Sequence, residues 1–460
     1  MSARQAVHDY IDRNRPRFQD ELFEFLRIPS VSAVAERRGE TRQAAEWVAG
    51  KLKSAGLEVS VHDTAGHPVV LGEWRQAGPN APTVLIYGHY DVQPAEPLEL
   101  WTTPPFEPTV RSGRIYARGS CDDKGQLYLH VKSLEAHLAV TGKLPVNVVV
   151  IAEGEEEVGS EHLMPFVRAH RDRLACDAIV ISDTGMVGPG LPTIGASLRG
   201  LAYMEIRVQG PAQDLHSGSY GGAVLNPATA LARIVASFHD EHEHITIEGF
   251  YDDVDPAPLF RENMQRVPHD PAEFLQETGS PVVWGEHGYS TVERLWIRPT
   301  CEVNGLLSGY TGEGSKTVLP ARAMAKVSCR LVPDQDPKRI ARLFEAHVRK
   351  VAPPGVRVEV LELHGGRPWR AKLEGGLVEA GARALKYAWG KDVIYAGEGG
   401  SIPIVPEFEE VLGAPAILLG FGLPGENAHA PDEWFSIENY ELGTSAMAEL
   451  LFELEQYHRG

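Results

Sequence analysis

Short β-branched runs separated by helical stretches constrain the fold of this chain more than any other feature of its sequence. TVLIYG (83–88), VNVVVIA (146–152) and AIVIS (178–182) read as buried strands, with helices predicted over 125–140 and 160–174 between and after them. Strands joined through helices pair in parallel, so the pattern predicts an α/β fold: an open, mostly parallel sheet with helices on both faces. Two further helices are predicted ahead of it, one carrying Val7, Ile11, Phe18, Leu22 and Phe25 at helical spacing and one over 41–57.

After Gly195 the pattern changes. An alternating strand AYMEIRVQG, a helix over 227–238, the loop YDDVDPAP, a strand AKVSCRLV, a helix over 337–351 and a strand VRVEVLEL predict a smaller α+β domain. The first pattern then resumes with a helix over 377–388, a strand over 414–421 and a closing helix over 437–457. The expected organisation is one discontinuous domain, 1–195 with 365–460, interrupted by a domain over 196–364. Its 460 residues suit two or three domains at roughly 150 residues each.

Charge narrows the partners. A formal net charge of −19, with no Lys/Arg block, argues against nucleic acid and against an anionic membrane, since both require a positive surface. The opening segment lacks the apolar core of a signal peptide, and no apolar run approaches the roughly 18 residues of a membrane span. Cys121, Cys176, Cys301 and Cys329 form no CxxC pair, which points to a reducing compartment. The expectation is a cytoplasmic protein acting on a small substrate.

Acids and histidines collect after the predicted strands, where open sheets bind ligands. GHYD puts His89 and Asp91 directly behind TVLIYG, and residues i and i+2 of an extended chain face the same way. A carboxylate behind a histidine fixes the imidazole tautomer for metal binding. ARGSCDDKGQ sets Asp122 and Asp123 in a turn opening a helix, where one serves as cap and the other is left to face a cation. AEGEEEVGS crowds Glu155, Glu156 and Glu157, ISDTG adds Asp183, and GENAHAPDEW adds His429. Each feature alone has a bland explanation as a solvated loop. Together, repelling acids gathered at one edge imply cations between them. Two histidines and three carboxylates, one of them bridging, would hold two divalent ions. The mixed N/O ligands suit zinc first, with manganese or cobalt as alternatives.

GHYDVQP, ARGSCDDKGQ, AEGEEEVGS, ISDTG, DLHSGSYGG, EGGSIP and GENAHAPDE, in this order, resemble the dinuclear zinc peptidase family of cytosolic nonspecific dipeptidases, carnosinases, glutamate carboxypeptidases, aminoacylases and succinyl-diaminopimelate desuccinylases. The dipeptidase branch is the most similar. The resemblance implies that His89, Asp122, Glu157, Asp183 and His429 are metal ligands, with Asp122 bridging. It implies that Glu156 is the general base acting on a metal-bridging hydroxide and that Asp91 orients His89. It further implies that the inserted domain is a lid and dimerisation domain, giving a homodimer. There His216 would reach a partner's active site, and Arg330, Ser401, Gly400 and Asn304 would bind a substrate carboxylate. The activity implied is hydrolysis of dipeptides or short peptides with a free C-terminal carboxylate. The alternatives are an N-acyl amino acid amidohydrolase, a glutamate carboxypeptidase and, in a different class, a non-catalytic metal-binding scaffold.

Overall fold

The computed structural model describes residues 2–254, 258–400 and 402–457. Two compact units emerge, one of Met1–Ala196, Ala371–Ala396 and Glu407–Gly460, the other of Ser197–Arg370 and Gly397–Pro406. Residues 397–406, which sequence reasoning placed with the discontinuous domain, group with the inserted one.

In the first unit the strands run in the order Glu58–His62, Val69–Trp74, Asn147–Glu153, Thr83–His89, Ala178–Ile181, Ala416–Leu418 and Thr193–Leu198. The four central strands pair in parallel, as expected. Towards both edges pairing turns antiparallel, through Val69–Trp74 on one side and Thr193–Leu198 on the other. The edge strands went unread because they are short and half-exposed (Glu58–His62) or rich in small residues (Thr193–Leu198).

Parallel strands buried on both faces must be apolar throughout, and Val148, Val149, Val150, Ile151, Val84, Leu85, Ile179 and Val180 are all buried. Helix Lys124–Thr141 is buried along most of its length and shares a core with helices Ala3–Leu26, Arg38–Ala55, Gly376–Trp389 and Ile437–Leu454. Gly88 permits close contact at the strand end: a Cβ there would lie 2.8 Å from Asp123 Oδ2 and 2.9 Å from a Leu127 methyl. Because all four parallel strands point the same way, the segments following His89, Glu153, Ile181 and Leu418 emerge along one edge.

The second unit holds an antiparallel sheet in the order Glu302–Ser308, Arg322–Leu331, Gly200–Gln209 and Arg357–Gly366. Alternate residues Ala202, Met204, Ile206 and Val208 join Ala325, Val327 and Cys329 in a core with helices Pro227–Ala236 and Pro337–Val351. Helices Pro258–Met264, Pro271–Thr278 and Thr291–Trp296 occupy a stretch for which no element was expected; the predicted loop over 251–258 lies partly outside the described residues. No helix among the described residues is long and apolar enough to cross a membrane.

Candidate metal centre

His89, the last residue of its strand, is fully buried, and its Nε2 lies 3.0 Å from Asp122 Oδ1 and 3.8 Å from Asp183 Oδ1. His429 reaches the same aspartate from another loop: its Nε2 is 2.9 Å from Asp122 Oδ2 and 3.1 Å from Glu157 Oε2. Two donor groups therefore form, His89 with Asp122 and Asp183, and Asp122 with Glu157 and His429, sharing Asp122. All five ligand residues expected from sequence come together in these two groups.

Supporting contacts fix the donors. His89 Nδ1 is 3.1 Å from the Asp91 carbonyl and 3.3 Å from its Oδ1, while Asp91 Oδ2 accepts the Glu157 N–H at 3.2 Å. Asp91 thus ties two donor-bearing segments together. Asp123 sits at the N-cap position of helix Lys124–Thr141 but makes no side-chain cap; its Oδ2 accepts the His89 N–H at 3.1 Å instead. The capping role assigned to one acid of this pair is therefore corrected: a buried strand N–H competes for the carboxylate and wins. Glu156–Val158 form a 3-10 turn, closed by the Glu155 carbonyl, which accepts from Val158 and Ser160.

Two positioning groups escaped sequence reasoning. Gln93 Nε2 donates to Glu157 Oε2 at 2.7 Å, the same oxygen that faces His429. Glu433, fully buried, accepts from Gly119 N at 2.8 Å, Cys121 N at 3.0 Å and Asp122 N at 3.3 Å, and pairs with Arg118 at 2.8 Å. It thereby locks the Asp122 turn onto the His429 loop. Both lie in motifs already singled out, at i+4 from a ligand histidine, and that spacing was the available signal. Asn427, His429 and Asp432 all take positive φ (56°, 62° and 57°), a left-handed backbone that non-glycine residues hold only where neighbours over-determine it.

The electrostatics follow from crowding. Burial opposes charge on His89, but hydrogen bonds with Asp122, Asp183 and Asp91 outweigh it and hold its pKa well above the usual value. His429, bonded to Asp122 and Glu157, is raised to about 10. Burial pushes Glu157 and Asp183 up, whereas for Asp122 hydrogen bonds from His429 and His89 overcome burial and pull it down. Glu156 rises to about 9 through burial and then repulsion from Asp183. Protons here do the work that cations could do. Imidazole nitrogens and carboxylate oxygens about 3 Å apart are the donors, and nearly the spacing, of four-coordinate zinc with ligand bonds of about 2.0–2.2 Å; the residues fit divalent ions.

Of the expected substrate-binding residues, Arg330, Asn304 and Gly400 belong to the second unit. Arg330 is half-buried on strand Arg322–Leu331, paired with Leu201; Asn304 is exposed on strand Glu302–Ser308. The Gly400 carbonyl accepts the Arg199 N–H at 3.1 Å. His216 is exposed, its Nδ1 accepting from Gly218 N at 3.0 Å. Ser401 lies outside the described residues.

A parallel-centred sheet with two histidine–carboxylate donor groups at its carboxyl edge defines the class of a metal-binding α/β protein. The sequence pattern of peptidase family M20/M25/M40 matches residues 85–453, and the chain belongs to that family. It is 31% identical over 465 residues to the Cys-Gly metallodipeptidase dug1 of Schizosaccharomyces pombe, covering 97% of this chain and 98% of that protein. Human carnosine dipeptidase 1 superposes with a TM-score of 0.83 at 29% identity, covering 99% of this chain and 100% of that one. The M20 family metallo-carboxypeptidase Sso-CP2 of Sulfolobus solfataricus gives a TM-score of 0.82 at 33% identity, with coverages of 95% and 99%. The chain is a metallopeptidase, and its kinship lies with the dipeptidases, in agreement with the resemblance read from its motifs.

Proposed function

We propose that this protein hydrolyses the peptide bond of dipeptides with a free C-terminal carboxylate, using two divalent ions of the zinc class. His89, Asp122 and Asp183 would hold one ion, and Asp122, Glu157 and His429 the other. The observation that carries this reading is the division of Asp122, whose two oxygens face different imidazoles. When bound, such ions supply Lewis acidity and lower the pKa of a nearby water.

Glu156 is the proton carrier in this reading. As a carboxylate it takes a proton from the attacking water and returns it to the leaving amine, a role that requires it ionised when the ions are bound. Asp91 keeps the His89 ring oriented through Nδ1, and Gln93 holds Glu157. His216 as oxyanion donor, and Arg330, Asn304, Gly400 and Ser401 as partners of the substrate carboxylate, rest on the motif resemblance, as does a homodimer. A cytoplasmic location is supported by four buried cysteines, none of them in a disulfide.

Release of C-terminal residues from longer peptides is the second reading, supported by the likeness to Sso-CP2. A panel of dipeptides, longer peptides, N-acetyl amino acids and glutamate conjugates separates these activities. Zinc-dependent turnover of dipeptides, abolished by a chelator, is expected; turnover of acylated substrates alone would overturn the reading.

A further inference from the structure

A second group of metal-type donors lies in the inserted domain, in the run His239-Asp240-Glu241-His242-Glu243-His244. His239 and Ile245 bridge antiparallel, so the run is a tight turn, with the Asp240 carboxylate accepting N–H groups from His242 at 2.8 Å and His244 at 3.0 Å. His287 is held to it, its N–H donating to the His242 carbonyl at 3.0 Å. Both imidazoles are exposed, and their Nδ1 atoms face each other at 3.3 Å.

That separation is long for a nitrogen–nitrogen hydrogen bond. It equals the bite of a tetrahedral ion, because two Zn–N bonds of about 2.0–2.1 Å at a tetrahedral angle place the nitrogens about 3.3 Å apart. The ground beneath is rigid. Glu286, next to His287, is clamped by Arg298 through two contacts of 2.7 Å and by His244 Nδ1 at 2.9 Å, and the Arg298 guanidinium lies 4.2 Å from the Tyr289 ring centre. Arg294 Nε holds the Glu286 carbonyl at 2.9 Å. Glu241 and Glu243 add negative charge that attracts a cation. We propose that His242 and His287 form a further metal site, taking one zinc-class divalent ion through their Nδ1 atoms with water in the remaining positions. The ion would clasp two segments 45 positions apart, at the base of the excursion carrying helix Pro271–Thr278, which buries none of its own residues. The donors are imidazoles, so zinc, copper or nickel would bind and calcium or magnesium would not.

Equilibrium dialysis of the full chain against rising free zinc, with metal counted per chain by atomic absorption, tests this. Wild type is expected to take up one more equivalent than His242→Ala, and His287→Ala is expected to lose that same equivalent. In wild type alone, zinc is expected to protect both His242 and His287 from diethyl pyrocarbonate, read by peptide mass. Equal stoichiometry in wild type and both variants, or modification of the two histidines unaffected by zinc, would overturn the proposal. The readout is a difference between chains with the same metal centre at Asp122, so it stands whether or not that centre works as proposed.

Discussion

Asp122 divides its carboxylate between two histidines, Oδ1 lying 3.0 Å from His89 Nε2 and Oδ2 2.9 Å from His429 Nε2. A side chain in that position serves both donor groups at once. Asp122→Ala is therefore expected to lower the content of both ions, while Asp183→Ala lowers chiefly one. Metal counts after dialysis against a weak chelator check this, and independent loss in the Asp122 variant would contradict it.

Glu156 belongs to neither donor group, but its carboxyl feels the charges of Asp183, His89 and Asp122. Glu156→Gln keeps the shape and removes the proton carrier, so kcat is expected to fall by about 10²–10⁴ with metal content unchanged. Paired kinetics and metal analysis test the role.

Glu433 is the sole side-chain partner of three backbone N–H groups among the hydrogen bonds described above and pairs with buried Arg118. Removing one member of a buried, hydrogen-bonded ion pair costs about 3–5 kcal/mol. Glu433→Ala should lower Tm accordingly and weaken metal affinity by about 10–100-fold through the released Asp122 turn. Thermal melts with and without zinc separate the two effects.

In chelator-treated protein, His429 holds its proton to about pH 10 and Glu156 to about pH 9. Both pKa values lie above their unfolded ones, so the folded state binds more protons and its stability falls as pH rises. The His429 contribution is full below about pH 6.5 and is lost towards 10; the Glu156 penalty sets in above about pH 4.3 and is complete near 9. Asp122, shifted downward, is ionised in both states across the neutral and alkaline range and leaves that trend unchanged. Tm of the chelated protein should fall from pH 6 to 9, whereas the gain in Tm on adding zinc should grow over the same range, because ligands must shed protons to bind.

Three metal donors were legible because His89, Glu157 and Asp183 lie at or just beyond strands whose β-branched runs mark them, and the parallel pairing of those strands brings their ends to one edge; Asp122, in a turn opening a helix, and His429, in a polar loop, were legible from their motifs. What stayed hidden depends on the folded chain. The contact of Glu433 with Cys121 spans 312 positions, and that of Gln93 with Glu157 spans 64. Asp123 reads as a cap until the strand N–H of His89 is seen competing for it. The edge strand Glu58–His62 and the helices Pro271–Thr278 and Thr291–Trp296 carry too little periodic burial to announce themselves, and the facing rings of His242 and His287 come from distant segments.

Anomalous diffraction from crystals grown with zinc tests the shared carboxylate most directly. Two peaks flanking Asp122, one beside His89 and Asp183 and the other beside His429 and Glu157, are expected. A single peak, or two peaks with Asp122 contacting one of them, would contradict the dinuclear centre.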